Sequence, residues 1–232
     1  MQPTKENSAL VWFTNNLRVH DNRMLNEACE KHERVIAAYC IDPDWFKPSQ
    51  FGFHKMGQFR VKFLLESLEE LALNLDQINI SLLVLIESAA SALPKLIESY
   101  QIDAVYHQEE WTFEELRELE AVKASVQPTI NFYSYYDQFL IAPEELQLES
   151  KAIPIVFTQF RKWVEKRCKP KKPLTARSKK PTNLLKSKPS IPSSIDLGFE
   201  PFERPINSAF PFKGGELQAL NRIEDYFLIR KN

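Results

Sequence analysis

Glycine is scarce in this chain, with five in 232 residues. No G-x-G-x-x-G follows the first apolar run and no Walker-type lysine loop occurs, which excludes a standard dinucleotide or P-loop phosphate site. Cysteine is scarcer still. The three present, Cys29, Cys40 and Cys168, show no C-x-x-C spacing, so neither a disulfide framework nor a zinc site is expected. The four histidines, His20, His32, His54 and His107, do not fall at metal-ligand spacings, and no Ser-His-Asp arrangement can be argued. No catalytic or metal residues are therefore expected, and His20 reads as a loop or interface residue rather than a base. The opening MQPTKENS lacks the apolar core of a signal peptide, and no apolar run approaches the ~20 residues that span a bilayer. The expectation is a cytoplasmic protein with no membrane partner.

Net charge is also nearly absent, at −1, but the average conceals an asymmetry. Between Arg161 and Lys188 stand twelve Lys or Arg against the single acid Glu165, leaving 18 basic and 30 acidic residues elsewhere. An acidic body thus carries a basic sash, read as a solvated or internally paired connector. Weak, salt-dependent phosphate contact along Lys169–Lys188 is the alternative.

What the chain does have is alternation. Ala9–Thr14, Val35–Cys40, Ser81–Ile86, Ala104–Gln108 and Thr129–Tyr135 read as strands, several apolar almost throughout, as in a sheet covered on both faces. Between them lie helical stripes: Phe59, Phe63, Leu64, Leu68, Leu71 and Leu75, then Ala89, Leu93, Leu96, Ile97 and Tyr100, then Phe113, Leu116, Leu119 and Val122. Alternating β and α units predict an α/β fold, a doubly wound five-stranded parallel sheet of order 3-2-1-4-5 over residues 1–136. A Pro-, Ser- and Lys-rich connector follows over 137–213, extended or partly disordered, with a short amphipathic helix near 157–167. Residues 214–232 turn helical again with Leu217, Leu220, Ile223 and Phe227 as the stripe. That last helix either folds back onto the sheet or opens a second domain.

In a doubly wound sheet, ligands bind beyond the carboxyl ends of the strands where the order reverses. The loop Asn15–Asp21 follows the first strand, and Asp21 or Asn22 can cap the helix beginning near Arg23. The acidic loop HQEEWTFEE follows the fourth. Glu109, Glu110 and Trp111 are then expected to face the same crevice as Thr14–Asn16, a carboxylate beside an indole suiting a flat heteroaromatic ligand with N–H donors. Glu114, Glu115 and Glu118 read as a solvated helix start, where acids suit the dipole.

VWFTNNLRVHDNRML resembles the amino-terminal signature of the photolyase/cryptochrome family, W-F-R-x-D-L-R-x-x-D-N. Three further stretches agree in order: IDPDWF, similar to D-P-x-x-F; GQFRVKFLLESLEEL, similar to G-x-x-R-x-x-F-L-x-E-S-L; and the pair VFTQFRKWVEK and FKGGELQALNRIEDYF, which resemble DASH-type cryptochrome segments before the connector and at the start of the helical domain. The resemblance implies an antenna-chromophore domain holding methenyltetrahydrofolate or a deazaflavin. It also implies a second, helical domain, absent from this chain, that holds FAD and acts on DNA; this chain should be inactive alone. Carried over by position, Glu110 matches the acid that contacts the pterin ring, and Asp42 is a second candidate for the pocket. Thr14 stands where the family usually has Arg and Asn16 where it has Asp, so the loop is expected to make different polar contacts. The alternatives are a stand-alone, non-enzymatic ligand- or partner-binding module of the same fold, and a nucleotide-binding α/β protein. An exposed terminal stripe is expected to promote self-association.

Overall fold

The computed structural model describes residues 8–146, 152–174, 181–185 and 189–230. Chain order runs β1 Ser8–Phe13, α1 Arg23–Lys31, β2 Arg34–Cys40, a 3-10 turn Pro43–Phe46, α2 Gln58–Gln77, β3 Leu82–Leu85, α3 Ala89–Tyr100, β4 Ala104–Gln108, α4 Phe113–Ser125 and β5 Asn131–Tyr135. Then come a single turn α5 Pro143–Leu146, α6 Phe157–Arg167, a two-residue strand β6 Thr182–Asn183, a 3-10 turn Ile195–Leu197, α7 Glu216–Glu224 and a π-turn Asp225–Ile229. The five main strands pair in parallel in the order β3-β2-β1-β4-β5.

The continuous apolar strands are explained by two cores. Ala9, Val11 and Phe13 of β1 face Met24, Leu25 and Ala28 of α1 and Leu64, Leu68, Leu71 and Leu75 of α2. Leu10 and Trp12 face the other way, into Ala92, Leu93, Leu96 and Ile97 of α3 and Val122 of α4. Successive strand residues alternate faces, so a strand sandwiched between helix layers needs apolar residues at every position. Asn22, not Asp21, caps α1: its Oδ1 accepts the Leu25 amide at 3.1 Å.

Two expected stripes depart from burial. Phe59 and Phe63 are exposed on the outer side of α2, while Val61 and Leu65 take the core positions. The connector meets them there: Phe202 packs edge-on against Phe59 at 4.9 Å and Phe210 against Phe63 at 5.8 Å. In α4 only Val122 is buried; Phe113 and Leu116 are exposed, Leu119 is partly buried, and Leu116 and Leu119 line the crevice described below.

Where described, the connector is well held. β6 pairs with the first residues of β2, beside the edge that β3 uses further along, and Leu197 is buried in the α2 core. Of the basic sash, Arg177, Lys179, Lys180, Lys186 and Lys188 lie outside the described residues. Among the described part, Lys171 pairs with Glu145 at 2.7 Å and Arg161 with Glu165 at 3.6 Å.

α7 docks by its first turn. Gly214 donates its amide to Glu66 Oε2 at 2.8 Å, Arg204 reaches the same oxygen at 2.7 Å, and the Leu217 amide donates to Glu70 Oε1. A Cβ on Gly214 would collide with the Phe63 carbonyl and with Ser67, and Gly215 has φ +121 with Glu70 against its open side. Both positions therefore require glycine. Beyond that turn the stripe Leu217, Leu220, Ile223 and Phe227 is exposed, so the helix start folds back while its apolar face does not. Among the described residues no helix is long and apolar enough to cross a membrane, and no cluster of three or more His, Cys, Asp or Glu is placed to hold a metal.

Candidate functional site

Where the strand order reverses, the carboxyl ends of β1, β2 and β4 leave a half-open cleft of about 970 Å³. Its floor is Trp12, Tyr39, Cys40 and His107; the Trp12 and His107 rings lie 6.0 Å apart. One wall is the start of α4, and the other is the segment from Asp42 to Lys55. Lys55 closes the rim by pairing with Glu114.

Three of the four residues expected at the site line this cleft. Glu110 stands at the centre: its Oε1 accepts from Thr14 Oγ1 at 3.1 Å, Asn15 Nδ2 at 3.3 Å and Gln108 Nε2 at 2.9 Å. The first loop and the fourth strand are thereby tied through one carboxylate oxygen, while Oε2 receives no donor from the described residues. Asp42 also lines the cleft, with Oδ1 accepting the Asp44 amide at 2.9 Å to cap the 3-10 turn. Trp111 is not among the lining residues. Its half-exposed ring packs on Tyr136 at 4.9 Å and Phe139 at 5.5 Å. Asn16 turns inward: it is buried, accepts the Thr14 amide at 3.3 Å and directs Nδ2 at Met24 Sδ.

The residues that sequence reasoning missed are His107, Gln108, Glu115 and Glu118. Each lines the cleft. His107 Nε2, Gln108 Oε1 and Glu115 Oε2 are buried without a hydrogen-bond partner among the described residues. Their chemistry can be assigned from their neighbours. His107 Nδ1 lies 3.0 Å from the Gln108 carbonyl, which only accepts, so Nδ1 carries the proton and Nε2 is an acceptor. Burial holds the His107 imidazole below its usual pKa, which keeps it neutral. Gln108 gives its NH₂ to Glu110, which leaves its carbonyl oxygen. The three unmatched atoms are thus all acceptors.

Glu118 adds a further acid. Burial pushes its carboxyl pKa up, and the nearby Asp42 carboxylate pushes it the same way. Burial also raises the Cys40 thiol to about 12, so this cysteine is an inert wall. The only sequence signal for the α4 acids was i, i+3 spacing from Glu115 to Glu118, which puts them on one helix face. Glu114 stays exposed at the rim, as a solvated helix start suggests, whereas Glu115 and Glu118 are half-buried because they stand on the face of α4 that lines the cleft.

Comparison with known proteins bears on this geometry. The family model described as DNA photolyase matches residues 9–180. A cryptochrome DASH of Gloeobacter violaceus is 39% identical over 223 residues, covering 95% of this chain and 44% of that protein. The chain thus spans about half the length of the curated relatives it matches. Among solved structures, a Synechocystis cryptochrome superposes with a TM-score of 0.85 at 28% identity, covering 97% of this chain and 47% of that one. A photolyase of Sulfolobus tokodaii, solved with two FAD molecules, shares the fold with a TM-score of 0.68 at 23% identity, over 97% and 46% of the two chains.

Proposed function

Because this chain belongs to the DNA photolyase family, with the α/β domain of its DASH-type cryptochromes, we propose that the cleft is the seat of a pterin-type antenna chromophore. One observation carries this reading: three buried, unmatched acceptors, His107 Nε2, Gln108 Oε1 and Glu115 Oε2, belong to residues lining a cleft with an aromatic floor. A buried acceptor left unmade costs about 1–3 kcal/mol, so a ligand supplying several N–H donors recovers that loss. The aminopyrimidinone edge of a pterin presents such donors side by side. A deazaflavin edge has one N–H between two carbonyls, which would set acceptor against acceptor. Phosphate-bearing nucleotides meet six carboxylates, Asp42, Asp44, Glu110, Glu114, Glu115 and Glu118, against three cations, Lys47, Lys55 and Arg117, of which Lys47 and Lys55 are already paired with Asp44 and Glu114.

Within this reading each side chain has a separate task. Glu115, His107 and Gln108 accept from the ligand's ring edge. Glu110 holds the first loop to the fourth strand and presents Oε2 as a further acceptor. Trp12 and Leu116 offer apolar contact to the ring faces, and Asp42 fixes the turn that starts the opposite wall. When bound, methenyltetrahydrofolate supplies near-ultraviolet absorption whose excitation energy can pass to a flavin. We assign FAD and any chemistry on DNA to the other half of the relatives' length, and no bond-making step to this chain.

The test is a titration with 5,10-methenyltetrahydrofolate read by absorbance and fluorescence. Micromolar or tighter, saturable binding is expected, and Glu115→Gln should weaken it by about 1–3 kcal/mol, the usual loss of a charged hydrogen bond. Unchanged binding in that variant, or preference for a deazaflavin, would overturn the assignment.

A further inference from the structure

The polar loop after β1 serves two elements at once. At its first end, Thr14 Oγ1 and Asn15 Nδ2 donate to Glu110 on the cleft wall. At its other end, the amides of Val19 and His20 donate to the two carboxylate oxygens of Glu216, at 2.9 and 2.7 Å. His20 Nδ1 lies 3.1 Å from Glu216 Oε1, and Asn74 Nδ2 donates to Oε2 at 3.4 Å. Glu216 is the first residue of α7 and is only 9% exposed, a carboxylate withdrawn from water and held by these donors.

Between its ends the loop is braced. The Arg18 amide donates to the Asn16 carbonyl at 2.6 Å, and Asn22 Nδ2 to the Arg18 carbonyl at 2.9 Å. The Arg18 guanidinium reaches the carbonyls of His20, Asp21 and Asp137 at 3.0–3.2 Å. Asn16 is buried and tied to Thr14. A continuous run of hydrogen bonds thus leads from Thr14 through Asn16 and Arg18 to His20.

We propose that residues 14–22 couple the cleft to α7, with Glu216 the positioning residue through which the state of the cleft sets whether α7 is docked. The helix is suited to two discrete positions. Its first turn is anchored by Glu216 and by the carboxylates of α2, while its remaining apolar face touches little. Lifting the helix surrenders the Glu216 hydrogen bonds together, which makes the change a step rather than a gradient. Because coupling between two sites is reciprocal, α7 must act back on ligand affinity by the same factor. The ligand arm of this inference rests on the pterin reading of the cleft; the arm without ligand does not.

The experiment is amide hydrogen exchange across residues 216–224 of the whole chain, in the wild type, Glu110→Ala, Glu216→Gln and the double variant. Glu216→Gln is expected to speed exchange. Glu110→Ala, although it lies at the cleft, should also speed it by about fivefold or more, and should add nothing once Glu216 is changed. Thr14→Val, which removes one of the two loop contacts, should give a smaller shift in the same direction with the core amides of β1 and β4 still protected. Wild-type exchange at 216–224 in Glu110→Ala, or effects that multiply in the double variant, would overturn the coupling. With methenyltetrahydrofolate present, exchange over α7 should change and Glu216→Gln should shift the folate dissociation constant by the matching factor. Equal folate binding by wild type and Glu216→Gln would refute the coupling and leave the pterin site standing. Folate that binds neither refutes the pterin site, and the Glu110→Ala comparison then decides the coupling by itself.

Discussion

At the scale of single residues, the carboxylates of the cleft divide by their hydrogen bonds. Glu110 has one oxygen saturated by three donors, whereas Glu115 has one buried oxygen with none. Substituting Glu110 by Gln should therefore weaken folate binding less than substituting Glu115, because Glu110 Oε2 alone remains for a ligand. Parallel titrations of the two variants check this order. Glu118 gives a pH prediction. An ordinary glutamate titrates near 4.5, and burial beside Asp42 raises this one. The folded state then holds the proton more tightly than the unfolded state, so this group lowers stability progressively as pH rises above about 4.5. Glu118→Gln should melt above the wild type at pH 7, with the gap closing as pH falls toward 4.5, as thermal unfolding across that range would show.

At the scale of elements, α7 and the connector are fastened to α2 by backbone as much as by side chains. Gly214 sits where any Cβ would strike the carbonyl of Phe63. Gly214→Ala should therefore unseat the helix start at a cost of about 1–3 kcal/mol, the usual penalty of overpacking. Faster exchange at 216–224, with the thermal transition of the sheet nearly unchanged, is the expected signature. Phe202 and Phe210 show the same dependence on α2, covering Phe59 and Phe63, which periodicity had placed in the core. A stripe of period 3.6 marks an apolar face, yet it cannot tell a helix layer from a returning connector as the cover.

At the scale of the whole molecule, the polar and apolar ends of α7 point to different behaviour. Its first turn is docked, but Leu217, Ile223 and Phe227 are more than half exposed and continue into Leu228 and Ile229. A contiguous apolar face of this kind promotes association. Sedimentation at rising concentration should show a concentration-dependent shift, and Ile223→Glu with Phe227→Glu should abolish it; a monomer at every concentration would show that the face is too small to matter.

Much of this protein is determined by local pattern. Strands that are in several cases apolar almost throughout, with helical stripes between them, identify a doubly wound sheet and place its crevice beyond β1 and β4, and the absence of a glycine-rich phosphate loop argues against a standard dinucleotide site there. Thr14 and Glu110 were legible as crevice residues from strand order and loop position, and Asp42 from the family resemblance. The remainder was decided by tertiary structure. Glu115 and Glu118 have the sequence look of a solvated helix start, and only the packing of α4 beside the cleft half-buries them. Trp111 follows Glu110 directly, yet Tyr136 and Phe139 draw its ring away. Glu216 is an ordinary helix-start acid until the fold brings it to Val19 and His20, about two hundred residues earlier, where their amides surround it. Periodicity records which face of an element is apolar, but which distant groups meet a given carboxylate depends on how the elements pack.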